Sequence, residues 1–272
     1  MSKEIPFVKM HGAGNDFVVI DARKTGLAGT DHAKLAARLC DRHFGIGADG
    51  LLLVMDSDKA DYRMRIFNPD GSEPEMCGNG IRCFAKYVWD SSREKKDVIS
   101  VETLAGIIVP AVIAKNGVAV GAEVDMGEPK HAKDPRVTLK ISGKSIEATE
   151  VSMGNPHCVI FVDDVARVNL PDLGPAIENH ERFPKKTNVE FVQVIKENEI
   201  TVRVWERGAG ETLACGTGAC ASVVAGSLSG RTAGRVLVHL PGGDLDVEWE
   251  REDGHVALRG PAELVFEGKI SI

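Results

Sequence analysis

The sequence predicts an α+β fold: two pseudo-symmetric domains, each a mostly antiparallel β-sheet or barrel wrapped around a central helix. Three observations predict it. Two stretches are near-copies: Arg65-Ile-Phe-Asn68, Pro-Asp-Gly, then Met76-Cys77-Gly78-Asn79-Gly80, against Arg203-Val-Trp-Glu206-Arg207, Gly-Ala-Gly, then Ala214-Cys215-Gly216-Thr217-Gly218. The spacing from arginine to cysteine is the same in both, without a gap. A second duplicated pair, Gly14-Asn15 before Val19-Ile20 and Gly154-Asn155 before Val159-Ile160, recurs at nearly the same offset. Finally, β-branched runs are many and short while helical periodicity is rare, as expected of sheet wrapped around few helices.

The elements follow from local chemistry. Alternating or β-branched runs predict strands at 7–9, 17–20, 51–55, 62–67, 107–114, 118–124, 158–162, 189–195, 200–205, 235–240, 245–250 and 256–259. Turn residues separate many of them: Asn68-Pro-Asp-Gly71, Asn116-Gly117, Pro241-Gly-Gly-Asp244 and Asp253-Gly254. Such short loops imply antiparallel pairing, because a parallel crossover needs a dozen or more residues. One helix is expected over about 31–42. The other two follow the cysteines. Ile81, Phe84, Ala85, Val88 and Trp89 recur at helical spacing, and so do Ala221, Val224, Ala225 and Leu228, with Gly230 as a stop. The duplication predicts one domain over 1–117, joined by a last strand at 264–272, and a second over 118–263.

Composition narrows the class. The chain has 272 residues, 43% hydrophobic and 27% charged, with a formal charge of −7. At that length a chain buries roughly 70–75% of its extended surface. The acidic balance, with a pI near 5.7, argues against a general nucleic-acid binder. No apolar run approaches a membrane span, and no secretory signal is visible at the N-terminus. The expected compartment is the cytoplasm, where the six cysteines stay reduced.

The chemistry lies where strand and turn give way to helix. Cys77-Gly-Asn-Gly80 and Cys215-Gly-Thr-Gly218 each open a helix whose first N–H groups lack intrahelical partners and carry partial positive charge. Such a mouth suits a carboxylate or phosphate, and the same field is expected to lower a thiol pKa. Two mouths serving one site would grip one carboxylate with a thiol on either side. A thiolate on one face would remove the α-proton and a thiol on the other would return one. The oriented donors would meet the charge that develops between these steps. A buried structural thiol is the alternative for any single cysteine; the matched pair is what raises Cys77 and Cys215 above it. For Cys40, Cys83, Cys158 and Cys220 the packing role is expected. A zinc site from Cys77, Cys83, Cys215 and Cys220 fits poorly, because the spacings are Cys-x5-Cys and Cys-x4-Cys. A disulfide switch between Cys77 and Cys215 is a liability of such a site rather than its purpose.

At these residues the chain resembles diaminopimelate epimerase. The segments that carry the resemblance are Lys9-Met-His-Gly-Ala-Gly-Asn-Asp-Phe17, Arg42-His-Phe-Gly-Ile-Gly-Ala-Asp-Gly50, Phe67-Asn-Pro-Asp-Gly-Ser72, Met76-Cys-Gly-Asn-Gly-Ile-Arg-Cys83, Met153-Gly-Asn-Pro-His157, Glu206-Arg-Gly-Ala-Gly-Glu-Thr212, Ala214-Cys-Gly-Thr-Gly-Ala-Cys220 and Leu240-Pro-Gly-Gly243. They span nearly the whole chain. The resemblance implies interconversion of L,L- and meso-diaminopimelate, a step toward lysine and peptidoglycan precursors, without pyridoxal phosphate, metal or any other cofactor. By that analogy Cys77 and Cys215 are the acid–base thiols, and His157 and Glu206 tune them. Gly78, Asn79, Gly216 and Thr217 would hold the reacting carboxylate. Asn15, Asn68, Asn155, Asn188, Glu206 and Arg207 would recognise the rest of the substrate. A homodimer is implied, with Phe266 at the place of a dimerising aromatic. Gly50 stands where some relatives carry Gln, so a side-chain contact there is lost. A proline or hydroxyproline racemase of the same fold would use the same thiol pair without a distal clamp such as Arg207. From a different class, a thiol redox or zinc-binding module remains the alternative.

Overall fold

The computed structural model describes residues 4–27, 29–249 and 252–271. It divides into two compact units, Met1–Val124 with Gly260–Ile272, and Asp125–Arg259. In chain order the first unit contains β1 (Glu4–Gly12), β2 (Asn15–Asp21), a single turn α1 (Ala22–Thr25), α2 (His32–Cys40), β3 (Gly50–Met55), β4 (Tyr62–Phe67), α3 (Gly78–Ser91), β5 (Val101–Thr103), β6 (Gly106–Ile108), β7 (Ala111–Lys115) and β8 (Val118–Asp125). The second contains β9 (Arg136–Ile141), β10 (Lys144–Ser152), β11 (Pro156–Phe161), α4 (Leu170–Glu178), β12 (Asn188–Lys196), β13 (Glu199–Glu206), β14 (Gly210–Thr212), α5 (Gly216–Leu228), β15 (Arg235–Leu240), β16 (Gly243–Trp249) and β17 (Val256–Pro261). The last strand, β18 (Glu263–Ser271), returns to pair antiparallel with β1. The contacts place the division at Asp125 and Gly260: β8 pairs with β7 in one hairpin, so 118–124 go with the first unit.

In the first unit the sheet runs β18-β1-β2-β3-β4-β5-β6. Its pairs are mostly antiparallel; β2 with β3 and β4 with β5 are parallel. Those parallel pairs are made by the crossovers through α2 and α3, which short-loop reasoning did not foresee. Helix α3 buries all five residues of its expected stripe, Ile81, Phe84, Ala85, Val88 and Trp89. On the other side Ile5, Val18, Ile20, Leu51 and Leu53 form a core with Leu35 and Leu39 of α2. At about 25 cal/mol per Å² of apolar area, burial on this scale is the main stabilising contribution.

In the second unit the order is β17-β16-β15-β13-β12-β11-β10-β9, with β14 beside β13. Helix α5 contacts β10, β11, β12, β13, β15 and β16. Only Thr217 and Leu228 of its residues are not fully buried. An apolar helix built from Gly, Ala, Ser and Val is what a wrapped central helix requires, since small side chains let strands approach from all sides. Its end matches expectation, with Gly230 at φ +67 just beyond it.

Helix α4 and the hairpin β9–β10 depart from the expected elements. Helix α4, which is not among the expected helices, contains Pro171, Gly174 and Pro175. Pro171 sits in the first turn, where its missing N–H costs nothing. Gly174 lets the helix lie on Trp205, because a Cβ there would stand 2.5 Å from the indole. The hairpin β9–β10 alternates weakly and was not foreseen; its turn, Ser142 (φ +48) and Gly143 (φ +78), has the paired positive φ of a tight hairpin. The expected strand ends at Glu250 and Ile272 lie outside the described residues.

One ionic cluster of the second unit predicts a pH dependence. His239 on β15 has Nδ1 2.7 Å from Asp244 Oδ1 and Nε2 3.2 Å from Glu199 Oε1. The hydrogen bond to Asp244, supported by Glu199, raises its pKa above the usual 6.5. A raised folded pKa gives stability that is complete below about 6.5 and is lost as pH climbs through the folded value. The stability measured by denaturant titration should therefore fall on going from mildly acidic to alkaline pH, and His239→Gln should flatten that slope. An unchanged slope in the variant would remove His239 from the effect.

Candidate active site: a thiol at a helix mouth in each unit

In the first unit, extended backbone at Cys77 (φ −140, ψ 119) makes it the N-cap of α3. Its Sγ accepts from Gly80 N–H at 3.5 Å, and its carbonyl accepts from Ile81 N–H at 2.9 Å. The thiol is half-buried. Asn15, at the corner that opens β2, brings its Oδ1 to 3.8 Å from that sulfur. The same oxygen accepts from Asn79 Nδ2 at 3.1 Å. The amide of Asn15 is oriented by Asp49, whose Oδ2 accepts from Asn15 Nδ2 at 2.8 Å. A carboxylate accepts only N–H here, so the amide oxygen must face the thiol. Arg42 bridges Asp16 and Asp49 and holds that carboxylate in turn.

In the second unit Cys215 has the same extended conformation (φ −124, ψ 111) and caps α5. It is 6% exposed, more enclosed than its counterpart. Its Sγ lies 3.5 Å from Thr217 Oγ1. Thr217 Oγ1 accepts from Asn155 Nδ2 at 3.2 Å, and Asn155 Oδ1 meets His157 Nε2 at 3.0 Å. Glu206, at the end of β13, accepts from Thr212 Oγ1 at 2.6 Å. The duplicated Gly-Asn corners thus perform one job twice: each delivers an asparagine to the mouth that carries its unit's cysteine.

The electrostatics of the second mouth overturn one expectation. The helix terminus was expected to lower the thiol pKa. Burial pushes the Cys215 thiol well above 9.0, and the neighbouring carboxylates of Glu206 and Glu190 push it the same way. Thr217 and Gly218 N–H pull against this and lose. Desolvation disfavours a thiolate more than one helix end favours it when two acids stand nearby. Burial also raises the pKa of Glu206, with Glu190 adding to the effect. Cys215 is therefore a thiol at neutral pH, the form that delivers a proton. Alkylation by iodoacetamide, read by mass spectrometry of the Cys215 peptide, should stay slow below about pH 9. Glu206→Gln should move its onset to lower pH; an unmoved onset would mean that the Glu206 charge does not reach the sulfur.

Other expected site residues are placed less simply. Asn188 is spent on backbone: its Nδ2 donates to Pro156 O at 2.9 Å and its Oδ1 accepts from Arg207 N–H at 2.9 Å. It braces Arg207, whose exposed guanidinium touches only Lys185 O at 3.4 Å in the hydrogen bonds described. Asn68 closes its own turn, donating to Ser72 Oγ at 2.9 Å. Phe266 meets Phe7 edge-on at 5.9 Å and is 44% exposed on the edge strand β18. At Gly50 a Cβ would stand 3.1 Å from Phe67 O and 3.2 Å from the Phe17 ring, so a longer residue needs those groups to shift. Cys40 and Cys83 are buried, and burial pushes each pKa up to about 12. Cys158 and Cys220 are fully buried as well. Among the described residues no group of three or more His, Cys, Asp or Glu side chains is arranged to hold a metal ion, and no helix is long and apolar enough to cross a membrane.

Sequence reasoning missed Asp49, Arg82 and Glu190. Glu190 had a signal: an acid inside the apolar run Val189-Glu-Phe-Val192, on a strand expected to be buried. Asp49 had none, because the Asn15 and Asp16 groups it holds are distant in sequence; Arg82 sits within the helical spacing of α3, where an arginine is ordinarily exposed.

A fold of two units, each with a sheet around a central helix, defines a class of architecture that solved structures share. A phenazine biosynthesis protein of the PhzF family from Bacillus anthracis has a TM-score of 0.77 at 18% identity, covering 99% of this chain and 100% of that one. A hydroxyproline epimerase from Agrobacterium vitis has a TM-score of 0.72 at 14% identity, covering 99% and 93%. At such identities the likeness is one of fold. Within that class, the model of the diaminopimelate epimerase family matches residues 7–132 and 149–265, and the chain belongs to that family. Relatives named diaminopimelate epimerase are 53% identical in Moorella thermoacetica, covering 96% of this chain and 98% of the relative, and 55% identical in Desulfitobacterium hafniense, covering 96% of each.

Proposed function

We propose that this chain interconverts L,L- and meso-diaminopimelate with Cys77 and Cys215 as its acid–base pair, in the supply of lysine and peptidoglycan precursors. The observation that carries the reading is the repeated arrangement of a cysteine at the open mouth of a buried helix with an asparagine beside it. In one direction a thiolate takes the α-proton and becomes a thiol. The other thiol gives its proton to the opposite face of the carbanion and becomes the thiolate, so protons and charge balance. N–H groups at Gly78, Asn79, Gly216 and Thr217 stabilise the charge that spreads onto the substrate carboxylate. Asn15 and Asn155 orient the reacting centre, and Glu206 accepts from its ammonium. Arg207, with Asn68 and Asn188 behind the binding loops, serves the distal amino-acid end, for which a guanidinium offers bidentate contact. His157 and Glu206 tune Cys215. No cofactor takes part. The compartment is the cytoplasm, where the thiols stay reduced. Two copies pair through the β18 edge, where Leu264, Val265 and Phe266 are exposed.

The test is incubation with L,L-diaminopimelate in heavy water without added cofactor. Deuterium should enter one α-carbon as the meso isomer forms. Exchange with proline and none with diaminopimelate would move the assignment to a racemase of the same fold. Loss of activity on chelation, with stoichiometric zinc in the purified protein, would favour a metal module.

A further inference from the structure

Glu190 has no role in the reaction described so far, yet it is the most tightly enclosed charged group beside a reactive sulfur. It is 0% exposed in the middle of β12. The parallel pairing of β11 with β12 sets His157 opposite Asn188 and Val159 opposite Glu190. The Glu190 side chain reaches back along the strand so that Oε1 lies 2.7 Å from His157 Nδ1. Its other oxygen, Oε2, has no hydrogen-bond partner among the described residues. The helix beside it is shaped to admit it: a Cβ at Gly218 would stand 2.7 Å from Glu190 Oε1 and 3.3 Å from Cys215 Sγ. Carboxylate and thiol therefore share the space over one glycine.

A purely structural account is weak. A carboxylate in the interior costs more than an apolar side chain would, and the neighbours of Glu190 on β12, Val189 and Phe191, are apolar and buried. What a carboxylate supplies and a leucine cannot is a fixed acceptor for one imidazole nitrogen. With Nδ1 committed to Glu190, the hydrogen on that nitrogen and the plane of the ring are both set. From His157 the contacts run without interruption through Asn155 and Thr217 to the Cys215 sulfur.

We propose that Glu190 is a positioning residue: its carboxylate fixes the hydrogen on His157 Nδ1 and, through His157, Asn155 and Thr217, sets the orientation of the Cys215 thiol. This rests on the reading of Cys215 as an acid–base thiol. The first unit contains a shorter version of the same device, in which Asp49 orients Asn15 against Cys77 directly.

The experiment has one arm that does not need turnover. In the wild-type protein the His157 Nδ1–H should give a far-downfield proton resonance, assigned by its loss in His157→Gln, and Glu190→Gln should move it upfield. In heavy-water exchange with diaminopimelate, Glu190→Gln should lower kcat at least about tenfold while KM stays within about threefold. The double variant Glu190→Gln with His157→Gln should be no slower than His157→Gln alone, since both changes break one chain. A resonance absent from the wild type overturns the proposal even if Glu190→Gln does not fold. So does wild-type kcat in Glu190→Gln, or losses that multiply in the double variant. A wild type that exchanges nothing with diaminopimelate defeats the functional reading, and the resonance then still decides the positioning of His157.

Discussion

Cys77→Ser and Cys215→Ser should each lower the rate of diaminopimelate epimerisation by about a thousandfold or more while the protein stays folded. General acid–base catalysis by one positioned group contributes roughly 10²–10⁴-fold, and a two-base reaction cannot complete with either group missing. A serine hydroxyl is isosteric enough to keep the N-cap position, but it cannot act as a base near neutral pH. The structural cost is small at both sites. Cys77 is half-buried, and its Sγ accepts one N–H that a hydroxyl also accepts. Cys215 sits beside Thr217 Oγ1, a ready partner for a hydroxyl. Far-ultraviolet circular dichroism and the melting temperature should therefore change little. The two variants should also differ from Cys83→Ser and Cys158→Ser, whose sulfurs are fully buried and whose loss should affect stability more than rate. Near-normal epimerisation in either Cys77→Ser or Cys215→Ser would remove that residue from the reaction.

The legibility of this chain was uneven, for physical reasons. The helix after Cys77 was readable because Ile81, Phe84, Ala85, Val88 and Trp89 repeat at helical spacing and are buried as that spacing requires. The helix after Cys215 was readable by its small residues and its glycine stop. The candidate mouths were readable because they are duplicated, and duplication survives where single motifs are weak. Helix α4 was hidden by its prolines, which are tolerated because one sits in the first turn and Gly174 is needed against Trp205. The parallel pairs were hidden because they depend on which strands the crossovers bring together. The field at Cys215 was misread for a related reason: local sequence shows the helix mouth, whereas Glu190 and Glu206 reach it from β12 and β13 through tertiary packing. Asn188 shows the same limit from the other side. Its type suited a substrate contact, but both ends of its amide are occupied by backbone.

Arg82 is the residue whose loss should most damage the first mouth without touching its chemistry. It is 0% exposed on α3, an uncommon position for a guanidinium. It stays there because it ties the first turn of α3 to the end of β17: Nη1 donates to Gly78 O at 2.9 Å, Nη2 to Asn79 Oδ1 at 2.8 Å, and Nε to Pro261 O at 3.4 Å. Gly12 leaves room for it, since a Cβ there would stand 3.3 Å from Nη2 and 3.1 Å from Asn79 O. Arg82→Met keeps most of the volume and removes these three hydrogen bonds, of which the one to Asn79 is buried. At about 1–3 kcal/mol for each buried group left unsatisfied, the expected loss is about 3–5 kcal/mol. Denaturant titration should show it as a lower midpoint with an unchanged slope. Asn79 also donates to the Asn15 oxygen that faces Cys77, so the looser amide should raise KM for diaminopimelate in whatever fraction remains folded. A midpoint shift worth less than about 1 kcal/mol would mean that water or a rearranged backbone replaces the guanidinium, and the mouth would then owe its shape to the strands rather than to Arg82.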